Sequence, residues 1–225
     1  MGSKPDIAAP TDAARQTSRL VLNAGSGSLA ARRLHAAFQQ QDWREVRLDI
    51  DPAAKPDLLG SLTDMSGLVP TASFDAVWAS HSLEHLYAHE VPLALSEFKR
   101  ILKPDGFAVI TSPDLETIAS LVIEHGLDHV AYESPLGPIT PHDMLFGHSS
   151  SIRRGMSFMA HHSGFTCDSL AKLLLAAGFP MVIAKCLGFD LWVLGLMEGA
   201  DKDAVQHSLY SGGLDMFDRG WEGSV

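Results

Sequence analysis

One short segment restricts the possible folds more than any other. An apolar run, Leu20-Val21-Leu22, passes through Asn23-Ala24 into Gly25-Ser26-Gly27-Ser28-Leu29-Ala30. The run reads as a buried strand over residues 19–23, and the residues after the loop are predicted as a helix over 28–40. Strand, G-x-G-x-x-A and helix in that order open a βαβ unit: the glycines allow a tight turn and close approach to the backbone, while a helix N-terminus favours anionic groups. Asp49 closes a second predicted strand, residues 45–50, at 24 positions beyond Gly25, where a carboxylate accepts hydrogen bonds from ribose hydroxyls.

The rest of the chain continues this alternation. Residues 56–59 and 74–79 are predicted as third and fourth strands. Val91, Ala94, Leu95, Phe98, Ile101 and Leu102 share one helical face, and Lys103-Pro104-Asp105-Gly106 opposes continuation of that helix. Residues 107–111 give a fifth strand. Strands alternating with helices at this pace predict a doubly wound, mostly parallel α/β sheet with helices on both faces. Thr166 is a predicted N-cap for a helix carrying Leu170, Leu173, Leu174 and Ala177, with Gly178 as its breaker. Segments 181–186 and 191–197 lie too close for a parallel crossover and must be antiparallel. Residues 1–17 are a polar, Pro/Ala-rich, mobile lead-in, and 18–225 a single domain. Residues from about 126 to 165 lack periodicity and are expected as a lid or insert. The tail beyond Gly199 is acidic and weakly patterned.

Charge and composition exclude several classes. Acidic residues outnumber Lys and Arg by 27 to 17, giving a net charge of −10, so a duplex nucleic acid partner is not expected. No apolar run approaches the roughly 18 residues of a membrane span, and no charged-then-apolar leader opens the chain; a cytoplasmic location is the expectation. A length of 225 residues, 46% of them hydrophobic, buries a core without disulfides or metal staples. Cys167 and Cys186 stand far from C-x-x-C spacing, in or beside apolar stretches, and are predicted as inert buried thiols.

The glycine loop by itself suits nicotinamide dinucleotides and S-adenosylmethionine alike, and a turn without a ligand also produces it. Downstream segments separate these readings. Phe74-Asp75-Ala76-Val77-Trp78-Ala79-Ser80-His81-Ser82-Leu83-Glu84-His85-Leu86 resembles the fourth-strand motif of class I S-adenosylmethionine-dependent methyltransferases. Phe98-Lys99-Arg100-Ile101-Leu102-Lys103-Pro104-Asp105-Gly106 is similar to the helix-to-turn motif before their fifth strand. Asp49-Ile50-Asp51-Pro52 and Ser61-Leu62-Thr63-Asp64-Met65 resemble their ribose and adenine segments. The resemblance, to a bacterial type 11-like subgroup, covers residues 20–113 closely. It implies a Rossmann-like sheet of seven strands with an antiparallel final strand, and S-adenosylmethionine as cofactor.

The same resemblance implies roles for individual residues. Ala24, Gly25, Ser26 and Gly27 would carry the methionine portion across their backbone. Asp49 would bind the ribose, Ile50 would lie against adenine, Leu62 and Thr63 would flank its edge, and Asp64 would reach its amino group. Ser80 and His81 would lie beside the sulfonium. Asn23 replaces the family's acidic residue at the start of the loop and would orient the methionine amino group as an amide. Leu29 replaces the third glycine.

Nine of the eleven histidines fall between His81 and His162. His81-Ser82-Leu83-Glu84-His85 fits H-x-x-E-H, a zinc pattern when it lies on one helix. Here it begins at a strand end and the family's own Leu-Glu-His run accounts for it, so no metal is expected; Glu84 and His85 read as a buried, hydrogen-bonded pair or as substrate contacts. Ligands of open α/β sheets bind beyond the carboxyl ends of the strands, which puts Ser80, His81 and Asp114 at the mouth of the site. The segment 132–165, with its His-x-x-Gly-Phe ending, resembles the lid of the subgroup. His161 is the first candidate for an acceptor-side base, followed by His142 and His81. His85, Asp114, Tyr132, Arg153 and Arg154 are candidate substrate contacts, the arginines for a carboxylate or phosphate.

The expected activity is methyl transfer to a small molecule, on oxygen of a sugar or other metabolite, by a monomer or homodimer. The strand end Ala79-Ser80-His81-Ser82 lacks the Asn/Asp-Pro-Pro-Tyr run that serves base or amide N-methylation. An NAD-dependent oxidoreductase would carry a Tyr-x-x-x-Lys pair, and Tyr87, Tyr132 and Tyr210 have no lysine four positions on. A non-catalytic protein that binds S-adenosylmethionine or S-adenosylhomocysteine is the third reading.

Overall fold

The computed structural model describes residues 18–28, 34–135, 137–217 and 221–224. The predicted lead-in of residues 1–17 lies outside them. Apolar residues alternate along each central strand, and the alternation builds two cores on one sheet. Strands β1 (Arg19–Ala24), β2 (Trp43–Asp49), β3 (Leu58–Leu59), β4 (Phe74–Ser80) and β5 (Leu102–Pro113) run parallel. They are followed by β6 (Tyr132–Ser134) and β7 (Gly137–Ile139), which form a separate antiparallel pair. β8 (Met181–Leu187), β9 (Asp190–Leu196) and β10 (Trp221–Ser224) complete the main sheet, whose order is β10-β8-β9-β5-β4-β1-β2-β3.

β9 is antiparallel to both β5 and β8, the insertion of a reversed strand that the close spacing of the last two segments predicts. Seven strands form the expected sheet, and β10 adds an eighth along the β8 edge. The tail that carries it also contains a helix, α6 (Lys202–Ser211), capped by the Asp201 side chain. The weak pattern of that tail concealed both, because α6 has only two fully buried residues, Val205 and Leu209.

Leu22, Val77, Ile110, Val182 and Val193 face a core closed by α1 (Val91–Ile101) and α5 (Cys167–Ala176). Their neighbours Val21, Trp78, Val109, Ile183 and Leu194 face the other side, where Phe38, Val205, Leu209 and Met216 cover them. The α1 stripe is as predicted, with Val91, Ala94, Leu95, Phe98 and Ile101 buried. The helix ends at Ile101, because Leu102 already has extended backbone ahead of the Lys103-Pro104 step. Lys103-Pro104-Asp105-Gly106 therefore lies in an irregular start of β5, where the register with β4 shifts, and not in a free turn. Thr166 caps α5 reciprocally with Ser169, closing the predicted N-terminus with two hydrogen bonds.

Three expectations need correction. The helix over 28–40 does not reach Gln40: residues 29–33 lie outside the described set, His35 is extended, and Ala36–Phe38 is one 3-10 turn. The segment 126–165 is not an irregular loop. It holds the β6–β7 pair, α3 (Pro141–Phe146), α4 (Ser149–Arg153) and a 3-10 turn at Ser157–Met159, elements too short to show a period. The two cysteines are not both buried: Cys167 is half-buried and Cys186 exposed, and their Sγ atoms lie 2.6 Å apart. Among the described residues no helix is long and apolar enough to cross a membrane.

Candidate active site

From β1 the sheet grows in both directions, to β2 and β3 on one side and to β4 and β5 on the other. That switch point opens a crevice beyond the carboxyl ends of the strands. Gly25 and Gly27 line it at φ +73° and +62°, left-handed conformations that favour glycine. A Cβ on Gly25 would stand 2.6 Å from that of Ser82, so the loop and the end of β4 approach as closely as glycine permits. Asp49 holds the loop from β2: its Oδ2 accepts from Gly27 N at 2.7 Å and its Oδ1 from Asp51 N at 2.9 Å. A carboxylate has about four lone-pair positions, so two remain for further donors. Arg47, buried to 7% exposure, donates to the Gly27, Ala54 and Lys55 carbonyls and ties the loop to the segment after β2.

On the β4 side, Thr111 donates to Ser80 Oγ at 3.0 Å, which leaves the Ser80 hydroxyl proton to point elsewhere. His81 follows at φ +50°, an uncommon conformation for a non-glycine residue. Its Nδ1 lies 3.2 Å from Glu84 Oε1 and its Nε2 3.5 Å from Asp190 Oδ2. Burial opposes the charge of His81, yet the Asp190 and Glu84 carboxylates facing its two ring nitrogens outweigh it and raise the pKa to about 10. Glu84, 1% exposed, is shifted down by the same partner against its own burial.

The segment 132–165 docks on this corner through its backbone. Glu84 O accepts from both His162 N (2.8 Å) and Ser163 N (3.1 Å), and Phe165 bridges to Asp114. His161 Nδ1 is 2.9 Å from Met144 O and His85 Nδ1 is 3.1 Å from Ala160 O. Each carbonyl fixes the proton on Nδ1, so both rings present Nε2 as a free lone pair. Burial lowers the pKa of His161, with Glu84 partly opposing the shift.

Residues 22–110, the strand–loop through β5, match the family model described as a methyltransferase domain. This segment resembles a class I S-adenosylmethionine-dependent methyltransferase domain of the type 11 kind. The fold of the whole domain resembles that of 1,6-didemethyltoxoflavin-N1-methyltransferase from Burkholderia thailandensis, a structure with bound 1,6-didemethyltoxoflavin and S-adenosylhomocysteine. Identity there is 20%, the TM-score is 0.50, and 81% of this chain and 72% of that chain are covered. It is also similar to a SAM-dependent methyltransferase from Archaeoglobus fulgidus, at 15% identity, TM-score 0.54, and 79% and 86% coverage. A third likeness is to the PH0226 protein of Pyrococcus horikoshii, at 14% identity, TM-score 0.53, and 82% and 84% coverage. No curated protein matches the chain significantly in sequence.

The fold brings many of the sequence candidates to the carboxyl ends of the strands, though not all. Ala24, Gly25, Ser26, Gly27, Asp49, Ser80 and His81 stand at the carboxyl ends of β1, β2 and β4. Ile50 is 64% exposed beside Asp49, an aliphatic side chain open to a planar partner. Leu62 is buried and Thr63 half-buried, Thr63 Oγ1 lying 2.8 Å from Ser61 Oγ. Asp64 is exposed and accepts from Ser66 N and Oγ. Asn23 is a correction: it is buried, and its amide donates to Glu45 Oε1 on β2 at 2.6 Å, directed along the sheet and not into the loop.

On the acceptor side, Tyr132 stacks on Phe189 at 6.0 Å, and burial together with Asp190 and Asp143 raises its pKa. Asp114 caps α2 (Leu115–His125) through Oδ2, a structural use, while its buried Oδ1 has no hydrogen-bond partner. His142 is not with His161. It packs on Phe146 and lines a separate cleft of about 370 Å³ with Asp128, Thr140, His148 and Ser149. A larger hollow of about 720 Å³, lined by Lys99, Arg100 and Pro104, shares no residue with the cofactor crevice. Arg153 and Arg154 are exposed at the end of α4, Arg154 bonded to Ser151, and neither joins the crevice. Glu84 and His85 lie close but share no hydrogen bond: Glu84 Oε1 contacts His81, and His85 Nδ1 the Ala160 carbonyl.

Two residues escaped the sequence reading. Asp190 reaches the site only because β9 inserts beside β5 with Asp190 opposite Pro113; the Gly188-Phe189-Asp190 turn between the last strands was the one available signal. Arg47 looks like an ordinary strand charge, and nothing in its neighbours marks it as the buried tie to Gly27.

Proposed function

We propose that the chain transfers a methyl group from S-adenosylmethionine to an oxygen of a small-molecule acceptor, a sugar or another metabolite. The observation that carries this reading is one crevice with two chemically different walls. The glycine loop and Asp49 form one wall, and the Ser80–Glu84 corner, on which the segment carrying His161 docks, forms the other. The first wall fits the cofactor: Asp49 keeps unused acceptor positions for ribose hydroxyls, Gly25 and Gly27 leave room for a chain to cross the backbone, and exposed Ile50 offers an apolar face for adenine. Leu62, Thr63 and Asp64 border that side.

S-adenosylmethionine would supply a sulfonium-bound methyl group that an aligned nucleophile takes in line, the C–S bond breaking as S-adenosylhomocysteine leaves. Alignment of this kind accounts for about 7–11 kcal/mol of barrier lowering, so positioning is the main task of the site. Ser80 and Asp49 hold one reactant, and Tyr132 with the lid confines the other. His161, kept neutral by burial, accepts the acceptor's proton at Nε2. His81 is unsuited to that step because its partners hold it as an imidazolium. It fixes the corner between β4 and the lid, and the pair Glu84 and Asp190 leaves the corner with net negative charge beside the sulfonium.

The acidic surface supports a small acceptor over a nucleic acid. Incubation of the full chain with methyl-labelled S-adenosylmethionine and a metabolite panel reads the activity directly. Labelled methyl ethers are the expected product, and His161→Ala should lower turnover by about 10²–10⁴-fold while leaving S-adenosylhomocysteine affinity within twofold of the parent, as expected for loss of a general base. Full activity in His161→Ala removes the base. Cofactor binding without any labelled product favours a non-catalytic binding protein.

A further inference from the structure

Glu84 is under-satisfied for a carboxylate at 1% exposure. Ser112 Oγ donates to Oε2 at a long 3.3 Å, and Oε1 has the His81 ring 3.2 Å away as an ion-pair contact without a well-directed hydrogen bond. Buried charged groups are normally hydrogen-bonded closely or coordinated to metal. Two further groups face the same point. Ligand atoms of Glu84, His85 and His161 all lie within 4.8 Å of one another. The His85 and His161 rings meet edge to face at 4.9 Å.

The arrangement of both imidazoles is that of metal ligands. In each, Nδ1 is taken by a backbone carbonyl, Ala160 O for His85 and Met144 O for His161, which fixes the tautomer and the ring plane and leaves Nε2 as the donor. The carriers are also fixed. Glu84 and His85 lie in one 3-10 turn, and the Glu84 carbonyl holds the backbone of His162 and Ser163, next to His161. Gly147 permits the contact from the other side, since a Cβ there would stand 2.1 Å from Met159 O. We infer that Glu84, His85 and His161 form a binding site for a divalent first-row transition-metal ion, of which Zn²⁺ is the simplest probe.

Two imidazoles and one carboxylate suit zinc, cobalt, iron or manganese better than magnesium or calcium, which prefer all-oxygen shells. Tetrahedral zinc needs donor atoms about 3.3 Å apart, so the three side chains must close in by roughly an ångström or so, within rotamer adjustment. Three protein ligands leave one position for water or an acceptor oxygen, as in catalytic zinc sites. The ion would join the end of β4 to the lid. It would also occupy the lone pair that serves as proton acceptor in the metal-free chain, and a coordinated acceptor hydroxyl would lose its proton to solvent more readily. The site itself rests on the cluster geometry and not on the methyl-transfer reading, so its test reads metal alone.

The test uses the full, untagged chain carrying Cys167→Ser and Cys186→Ser, which removes the adjacent thiols as competing ligands. Zn²⁺ is titrated against a chromophoric chelator, with folding of every variant checked by circular dichroism. One tightly held ion per chain is expected, with affinity reduced at least tenfold in His85→Ala, in His161→Ala and in Glu84→Gln. Absence of stoichiometric binding, or unchanged affinity in both histidine variants, overturns the site. If a variant fails to fold, the Co²⁺ form of the parent decides by proton magnetic resonance. Two strongly shifted, exchangeable imidazole N–H signals are expected, one from each Nδ1, and their absence overturns the proposal.

Discussion

His35 sits with its ring 5.5 Å from that of Trp78 and 5.8 Å from that of Trp192, and its Nδ1 accepts from Ala37 N at 3.2 Å. Burial lowers its pKa, and the hydrogen bond needs the unprotonated nitrogen. The sign follows directly. The unfolded chain takes up the proton first, near the usual value of about 6.5, so stability is lost as pH falls through that region. His35→Asn keeps an N-cap acceptor but does not titrate. Between about pH 7.5 and about pH 5.5, the melting temperature of the parent is expected to fall more steeply than that of His35→Asn; equal slopes would remove this role. At this scale the sequence was legible wherever a residue's use is local. Gly25 and Asp49 carry their roles in their spacing. Asn23, Asp190 and Arg47 do not, because their partners are set by strand neighbours, Glu45 beside Asn23 and His81 beside Asp190, that only the assembled sheet defines.

Elements with reinforcing local signals form where the sequence puts them. α5 has a cap, an apolar stripe and a breaking glycine at φ +90°, and all three agree. Thr166→Ala, which deletes the acceptor for Ser169 N, is expected to cost about 1 kcal/mol in chemical denaturation, within the range of about 0.5–2 for lost caps. No measurable change would show that the end of α5 is held by tertiary packing alone. The lid was harder to read, for a physical reason. α3 and α4 have six and five residues, less than two turns each, and an apolar stripe cannot repeat over that length. What orders them is capping and backbone contact: Thr140 and Asp143 cap α3 reciprocally, and Phe146 O holds His161 N. The end of the predicted helix after the glycine loop is not helical, because His35 is extended and caps a separate 3-10 turn.

For the molecule as a whole, one sheet shared by two cores should make unfolding cooperative. Leu95 on α1 and Leu209 on α6 are both fully buried, on opposite faces. Leu95→Ala and Leu209→Ala are each expected to lose about 2–5 kcal/mol, with a single transition retained in both. A separate early transition in Leu209→Ala would mean that the tail folds as an independent unit. The overall architecture was readable because strands alternate with helices along the chain, and the short gap between the last two strands requires the reversal of β9. The eighth strand was not, since β10 is an edge strand of four residues whose pairing with β8 depends on where α6 leaves the chain.

The central claim is that the crevice between β1 and β4 holds S-adenosylmethionine through Asp49 and the glycine loop. Calorimetry with S-adenosylhomocysteine, and separately with NAD, on the parent and Asp49→Ala tests it most directly. One molecule of S-adenosylhomocysteine per chain is expected, weakened in Asp49→Ala by roughly 1.5–3 kcal/mol, or about 10- to 150-fold in Kd, with no NAD binding. Saturable binding of NAD alone, or an unchanged Kd in Asp49→Ala, would contradict it.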